Sequence, residues 1–568
     1  MTDTTHAHTG FHGPKCWIVS AIAGALLGLI IAHFAPARYA EPGTPDASET
    51  GSLIIIQTNP DGSRVRRHAD KTTSPLPADL DLTKASFSTL ATEPRPTADP
   101  AALSTPKQHS GAEPVIPLWL CAPFALLLLS IALMPFISER FWHHHFPDFA
   151  FFLGAIILAY YLRAFGSFGT HAVVHVALEY YAFIALVGGL FVASGGILLD
   201  IRGRGTPLRN TLLLAVGAVA ANLIGTTGAS VLLIRPFLRL NRGRLRPIHV
   251  VFFIFIVSNC GGCLTPIGDP PLYLGFLKGV PFFWTLNHLW PMWLFVNATL
   301  LALFFIIDLR IPLAPPADPN DPYAAAPRDR TPVISGLRAL ICLFLLVGAV
   351  FIDPLLKNVP ALAGWPIGPT VQIILAAIAY ATARPSILHA NQFTFAPVKE
   401  VGFLFIGIFL TMAPALGYLQ HHAADVGLES PTQFYFGTGV LSAFLDNAPT
   451  YLSFLQVALG ILHLPLDPEG IRTFIQSTFD VLNSDTPGVV THFQGQVLLE
   501  AIALGAVFFG AMTYIGNGPN FMVKSIVDQA HAGTQGLGVK MPSFLTYLLY
   551  AVTILLPVLV LNWFIFIR

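Results

Sequence analysis

Apolar runs recur along this chain at the length a helix needs to cross a bilayer, which is about 20 residues. They fall at 16–35, 115–137, 148–164, 172–200, 207–240, 247–279 and 281–309, and a second series at 333–353, 366–383, 400–419, 433–464, 494–529 and 542–567. The stretch 36–114 breaks the pattern: it is polar, holds eleven prolines, and has a linker composition that cannot bury a core. Within it, 53–57 and 63–67 flank Asn59, Pro60, Asp61 and Gly62, which predicts a small hairpin. The pattern predicts an all-α polytopic membrane protein. Its parts are a signal anchor or signal peptide (1–35), with cleavage within 1–40 left open, an extracytoplasmic linker (36–114), a first repeat (115–312), a cytoplasmic inter-repeat loop (313–332) and a second repeat (333–568).

Two runs cannot be continuous helices. Thr265-Pro266-Ile267-Gly268-Asp269-Pro270-Pro271 reads T-x-I-G-[DN]-x-P, and Thr513-Tyr514-Ile515-Gly516-Asn517-Gly518-Pro519 repeats it 248 positions later. Proline lacks the amide donor and glycine has excess backbone freedom, so the helix breaks there. Broken backbone at membrane depth survives only against protein or a water-filled cavity. Paired interruptions in matching halves point to the binding site of a secondary transporter.

Charge gives the halves opposite orientations. Arg202 and Arg204 precede the 207–240 run and Arg209 opens its first arm, while Arg235 and Arg239 end its second arm and Arg242, Arg244 and Arg246 follow. The 433–464 run has no Lys or Arg in 420–432 and only Arg472 in 465–493, where Asp425, Glu429, Asp467, Glu469, Asp480 and Asp485 sit instead. Lys and Arg mark cytoplasmic loops. The first run therefore enters and returns on the cytoplasmic side, and the second dips in from the other face. Each repeat is predicted to hold about five spans, a re-entrant helical hairpin and a broken span, the two repeats being inverted.

Candidate chemistry gathers where backbone leaves the helix. At the first hairpin tip lie Asn222, Thr226, Thr227 and Ser230, and in the first broken span Ser258, Asn259, Thr265 and Asp269. Asp446, Asn447 and Thr450 occupy the second tip; Thr513, Asn517 and Asn520 the second broken span. Oxygen-rich sets of this kind suit alkali cations such as Na+, and half-helix N-termini suit an anion. An ionised Asp at the bilayer centre costs about 2.5–3.5 kcal/mol, so Asp269 and Asp446 are expected to exchange a proton or cation. Asp446 also suits a helix N-cap. Glu179, with His171 and His175 on its helical face, is a candidate for a proton path or a scaffold partner; Glu500 is expected at mid-depth beside the second break. His143, His144 and His145 fall in an expected cytoplasmic loop, 138–147, and Trp284, Trp290 and Trp293 are expected near a membrane interface.

Composition agrees with this class. Hydrophobic residues make up 54% and charged residues 11%, against about 25% charged in soluble domains. With zero formal net charge, nothing suggests a nucleic-acid partner. The five cysteines form no disulfide framework, and Cys260 and Cys263 read as small residues of an unwound segment. No H-E-x-x-H or G-x-S-x-G occurs, and no enzyme activity or cofactor is expected.

From about residue 115 onward the motifs resemble the ion transporter superfamily. Ser258-Asn259-x-Gly261-Gly262, Thr265-Pro266-Ile267-Gly268-Asp269 and Leu445-Asp446-Asn447-x-Pro449 are similar to bacterial D-type sodium/proton antiporters. Thr513-x-Ile515-Gly516-Asn517-Gly518-Pro519-Asn520 is similar to their citrate-transporter-like relatives. The first tip, Asn222-Leu223-Ile224-Gly225-Thr226-Thr227, departs from the antiporters' Asp-Asn pair. The resemblance implies opposed hairpins, an elevator-type motion, a homodimer and the bacterial inner membrane. The leading expectation is sodium/proton antiport, with H+ and Na+ exchanging at Asp269 and Asp446; the alternative is sodium-coupled uptake of citrate or another organic anion.

Overall fold

The computed structural model describes residues 14–39, 53–68, 73–76, 114–201, 203–313, 333–356, 359, 362, 365–483, 490–532 and 539–568. Arg202, Asp485, most of the 36–114 linker and nearly all of the 313–332 loop lie outside the described residues. Among the described residues, nine helices are long and apolar enough to cross a membrane, so the protein is an all-α polytopic membrane protein.

The N-terminal helix α1 (Pro14–Phe34) runs beside the second half of α2 (Ala122–Ala164). Gly24 and Gly28 let the two backbones approach. A Cβ on Gly24 would lie 2.2 Å from the Phe152 carbonyl oxygen, and one on Gly28 2.3 Å from that of Ile156. Small residues four apart are the usual means of such packing in membranes. Helix α2 itself is folded in half at Ser138 (φ −156°, ψ 88°), which brings Trp119 and Tyr160 to 5.4 Å between ring centroids. The expected loop 138–147 is thus mostly helix, with His145 Nδ1 3.1 Å from Asp148 Oδ2. Helix α3 (Gly166–Gly195) follows and leads to a short strand pair, β6 (Leu198–Asp200) with β7 (Val333–Ser335).

Helix α4 (Pro207–Leu240) is also a hairpin. A straight helix of 34 residues would be about 51 Å long. Instead Gly205 N donates to Leu240 O at 2.6 Å, and Asn210 and Asn241 exchange side-chain hydrogen bonds at 2.8 and 2.9 Å. The reversal sits at Gly225, whose φ of 75° favours glycine. The first broken span follows as α5 (Pro247–Ile256), an unwound segment, and α6 (Pro270–Leu277); α7 (Trp284–Leu309) then returns.

The second half repeats this plan. Three helices, α8 (Leu337–Ala349), α9 (Ile367–Thr382) and α10 (Ala396–His421), precede the hairpin α11 (Pro431–Phe444) and α12 (Asn447–Ile461). The second broken span is α13 (Gly495–Phe509) and α14 (Gly518–Ala532), and α15 (Phe544–Phe566) closes the chain.

The hairpins open to opposite ends. The first broken span runs from the base of hairpin one to Gly279, which abuts Pro468 just beyond hairpin two, where a Cβ would lie 2.5 Å from the Pro468 Cα. One full crossing thus separates the two open ends, and the repeats are inverted. Strands β1 (Arg38–Tyr39) and β5 (Pro114–Val115) pair where the linker begins and ends, and the hairpin expected within it is present as β2 (Leu53–Thr58) and β3 (Arg64–Arg67). It belongs to a five-stranded sheet, β4-β3-β2-β8-β9, in which β4 is Thr73–Leu76. Strands β8 (Thr478–Asn483) and β9 (Val490–Gln494) come from the loop beyond hairpin two. The linker was expected to bury no core, but strand β2 is buried on both faces because β8 supplies the partner it lacks locally: Ile55 joins the main core, while Ile54 and Ile56 pack with Leu76 and Leu482.

Candidate functional site

The four interruptions meet at one carboxylate. Asp269 precedes α6 and is 1% exposed. Its Oδ1 accepts from Thr226 Oγ1 at 2.8 Å, in hairpin one, and from Asn517 Nδ2 at 3.0 Å, in the second broken span. Its Oδ2 accepts from Asn447 Nδ2 at 2.6 Å, at the tip of hairpin two. Thr226 follows the Gly225 reversal, Asn447 opens α12, and Asn517 precedes α14, so four half-helix N-termini converge on Asp269. Each such end carries partial positive charge and free amides. Hydrogen bonds to a charged group stabilise it by about 1.5–3 kcal/mol each, which offsets the cost of burying the carboxylate.

Each tip is fastened to its own repeat's break in the same way. Thr265 Oγ1 donates to the Asn222 carbonyl at 2.6 Å and accepts from Gly268 N at 3.1 Å. Thr513 Oγ1 donates to the Ala443 carbonyl at 2.5 Å and accepts from Gly516 N at 3.1 Å. Asn222 adds a staple, accepting from Leu264 N at 2.8 Å and donating to Gly261 O at 2.6 Å. Ser258 Oγ lies 2.8 Å from Ser230 Oγ and joins hairpin one to the break. Among the residues expected to bind an ion, these threonines, Asn222 and Ser258 hold the tips in place, and Thr226, Asn447 and Asn517 touch Asp269.

Asn259 and Asn520 form a layer behind Asn517. Asn517 Nδ2 lies 3.1 Å from Asn259 Oδ1, and Asn259 Nδ2 donates to Asn520 Oδ1 at 2.6 Å. Asp446 is half-buried; it caps α12 by accepting from Ala448 N at 3.0 Å, and its carbonyl accepts from Thr450 Oγ1 at 2.9 Å. With Thr227 and Asn517 it lines a cavity of about 160 Å³. That cavity extends to Pro397 and Glu400 in the first turns of α10 and to Trp142 past the α2 bend. These turns lie at the arginine-rich end, since Asn391 just before α10 donates to the Gly195 and Ile197 carbonyls near β6. Sequence reasoning missed Glu400: a lone acid near a span end resembles a loop residue until tertiary packing turns it toward a cavity.

Glu179 and Glu500 stand away from Asp269. Glu179 on α3 pairs with Lys278 Nζ at 2.5 Å and His175 Nε2 at 3.0 Å, beside the far end of α6. Glu500 accepts from Gln496 Nε2 at 2.9 Å and lies ten residues before Gly510, about 15 Å along α13. Lys524 pairs with Asp528 at 3.1 Å. Among the described residues, no Lys or Arg hydrogen-bonds Asp269, and no three His, Cys, Asp or Glu gather as a metal site. Trp293 departs from the interfacial position expected of it. Its indole donates to Gly261 O at 2.7 Å and Asn297 Nδ2 to Cys260 O at 3.2 Å, satisfying carbonyls that the break frees from the helix.

A family profile described as "Putative citrate transport" matches residues 113–567, nearly all of the helical part. The chain belongs to this citrate-transport family. It is also similar to a "46 kDa membrane protein" of Mycobacterium leprae (strain TN), with 25% identity over 339 residues, 58% of this chain and 72% of that protein. Membership makes the chain a multi-pass membrane transporter of the citrate-transporter-like kind, and the finer likeness to D-type antiporters receives no support from these matches.

Proposed function

We propose that the protein is a secondary active transporter that couples a cation, Na+ in the first instance, to movement of citrate or a similar carboxylate. The observation that carries this reading is the convergence of four half-helix N-termini, two from each repeat, on buried Asp269 in a chain of the citrate-transport family. Asp269 supplies the negative charge that a cation needs, with Asn447 and Thr226 able to offer oxygens. The helix ends supply partial positive charge and amides for an anion without Lys or Arg. The hairpin tips and both broken spans are fastened to one another, so they move as a unit between the two faces, in an elevator-type alternation. In the present arrangement the cavity beside Asp446 and Asn517 extends toward the arginine-rich end. That end faces the cytoplasm of a bacterial inner membrane on this reading, and the protein works as a homodimer.

A second reading, sodium/proton antiport, is favoured by the carboxylates of Asp446 and Glu400 on the cavity wall. Proteoliposomes separate the two. An inward Na+ gradient is expected to drive accumulation of labelled citrate, and Asp269→Asn to abolish it. If Na+ instead collapses a preformed pH gradient with no organic acid present, antiport replaces the citrate reading.

A further inference from the structure

The amides around Asp269 are not equivalent. Asn520 is fully buried, and its Nδ2 donates to two carbonyls of the second break, Gly510 and Thr513, each at 2.9 Å. Both of its N–H groups are therefore spent, and its oxygen must face Asn259. Asn259 donates one N–H to that oxygen at 2.6 Å and the other to Ile254 O at 2.9 Å. Its own oxygen is thereby turned to Asn517 Nδ2 at 3.1 Å, with the Ser258 carbonyl also 3.3 Å from that nitrogen. Rotating the Asn517 amide by half a turn would set its oxygen against three acceptors: Asn259 Oδ1, Ser258 O and Asp269 Oδ1. Donor counting alone forbids it. Asn447, by contrast, donates to Asp269 Oδ2 while its Oδ1 is buried with no hydrogen-bond partner among the described residues.

We infer that Asn520 and Asn259 are positioning residues that lock Asn517 as a permanent donor to Asp269, leaving Asn447 as the amide whose oxygen turns to meet the coupling cation. This rests on the reading that Asp269 binds that cation. The lock sets selectivity: with one side of the carboxylate held by a fixed donor, the cation has to approach from the Asn447 side. The repeats explain why a lock is needed on one side alone. The place matching Asn520, 248 positions earlier, is Leu272, so the first repeat has no equivalent amide.

The test uses the full-length protein in detergent, with NaCl against choline chloride, and reads the Na+ concentration that gives half of the rise in thermal midpoint. Asn520→Leu and Asn517→Ala are each expected to raise it at least tenfold, and the double variant to be no worse than Asn517→Ala. A half-saturating concentration for Asn520→Leu within twofold of the parent overturns the lock, as does a further tenfold loss in the double variant. Should Asn520→Leu fail to fold, Asn520→Ser, which keeps a donor for one carbonyl but cannot reach Asn259, carries the same expectation. The infrared carboxylate band of Asp269, identified by its loss in Asp269→Asn, is read without Na+. It is expected to move alike in Asn520→Leu and Asn517→Ala, and an unmoved band overturns the lock. A moved band in a protein whose parent ignores Na+ keeps the lock and sinks the cation reading instead.

Discussion

Asn517 and Asp269 occupy the same place in the two repeats, 248 residues apart, and the amide of one donates to the carboxylate of the other at 3.0 Å. One motif thus supplies both the charge at the centre and a donor that steadies it. Two carboxylates at this separation could not both ionise without a cation between them. A single Asp with its neutral partner avoids that conflict and leaves one charge at the centre of the pair.

The charge is tied to position 269. Asp269→Asn is expected to reduce cation-driven citrate uptake at least 100-fold, about 2.7 kcal/mol, with the protein still inserted in the membrane. Exchanging the two residues, Asp269→Asn with Asn517→Asp, is expected to leave uptake equally low, because Asn259 Oδ1 and the Ser258 carbonyl present oxygens to position 517. Uptake of labelled citrate into proteoliposomes, normalised to reconstituted protein, measures both. Full activity in Asp269→Asn would remove this residue from the mechanism.

Gly225 sets the shape of the first hairpin tip. Its φ is 75°, and a Cβ there would lie 3.2 Å from the Ile267 carbonyl oxygen. Its neighbour Thr226 donates its backbone N–H to Gly268 O at 2.8 Å, so the tip cannot shift to relieve the strain without leaving Asp269. Gly225→Val is expected to cost about 1–3 kcal/mol and to weaken Na+ binding as well. Thermal unfolding of the purified protein, with and without Na+, gives both quantities. An unchanged midpoint would mean that the tip tolerates another conformation.

The inverted plan has a direct chemical readout. Arg242, at the open end of hairpin one, and Glu469, beyond hairpin two, lie at opposite ends of one crossing. In a cysteine-free background, Arg242→Cys is expected to react with a membrane-impermeant maleimide from the cytoplasmic side, and Glu469→Cys from the other side. Labelling of both from one side would undo the inversion.

Much of this arrangement is legible in the amino-acid sequence because backbone chemistry announces it. Gly268, Pro270, Gly516 and Pro519 cannot sit in a continuous helix, and the arginines around 207–246 against the acids of 465–493 give the hairpins opposite orientations. What pairs with what is harder to read. Strand β2 finds β8 across more than 400 residues, and Gln57 Nε2 reaches Ser477 Oγ at 3.3 Å across a sequence separation of 420. Neither segment carries a local sign of that partner. Trp293 and Asn297 were likewise hidden, since their partners are backbone carbonyls freed by a break in another span. The arginine run concealed a distinction too: Arg239 and Arg242 read as loop charge, and so did Arg244, yet Arg244 is 4% exposed.

Arg244 belongs to a buried knot that ties hairpin one to its neighbours. Asp308, at the end of α7, accepts from Arg244 Nη2 at 2.6 Å, His249 Nε2 at 2.9 Å and Asn210 Nδ2 at 2.8 Å. These residues join both ends of α4 to the start of α5 and the end of α7, so the tip that carries Thr226 stands on a fixed base. Removing one partner of a buried ion pair costs about 3–5 kcal/mol, because the other charge is left uncompensated. Asp308→Asn is therefore expected to lower the thermal midpoint sharply, whereas Asp308→Leu combined with Arg244→Met is expected to recover part of the loss. Transport by the surviving folded fraction is expected to keep the parent's half-saturating Na+ concentration, since no member of the knot touches Asp269. A changed Na+ affinity at unchanged stability would instead mean that the knot positions the site itself.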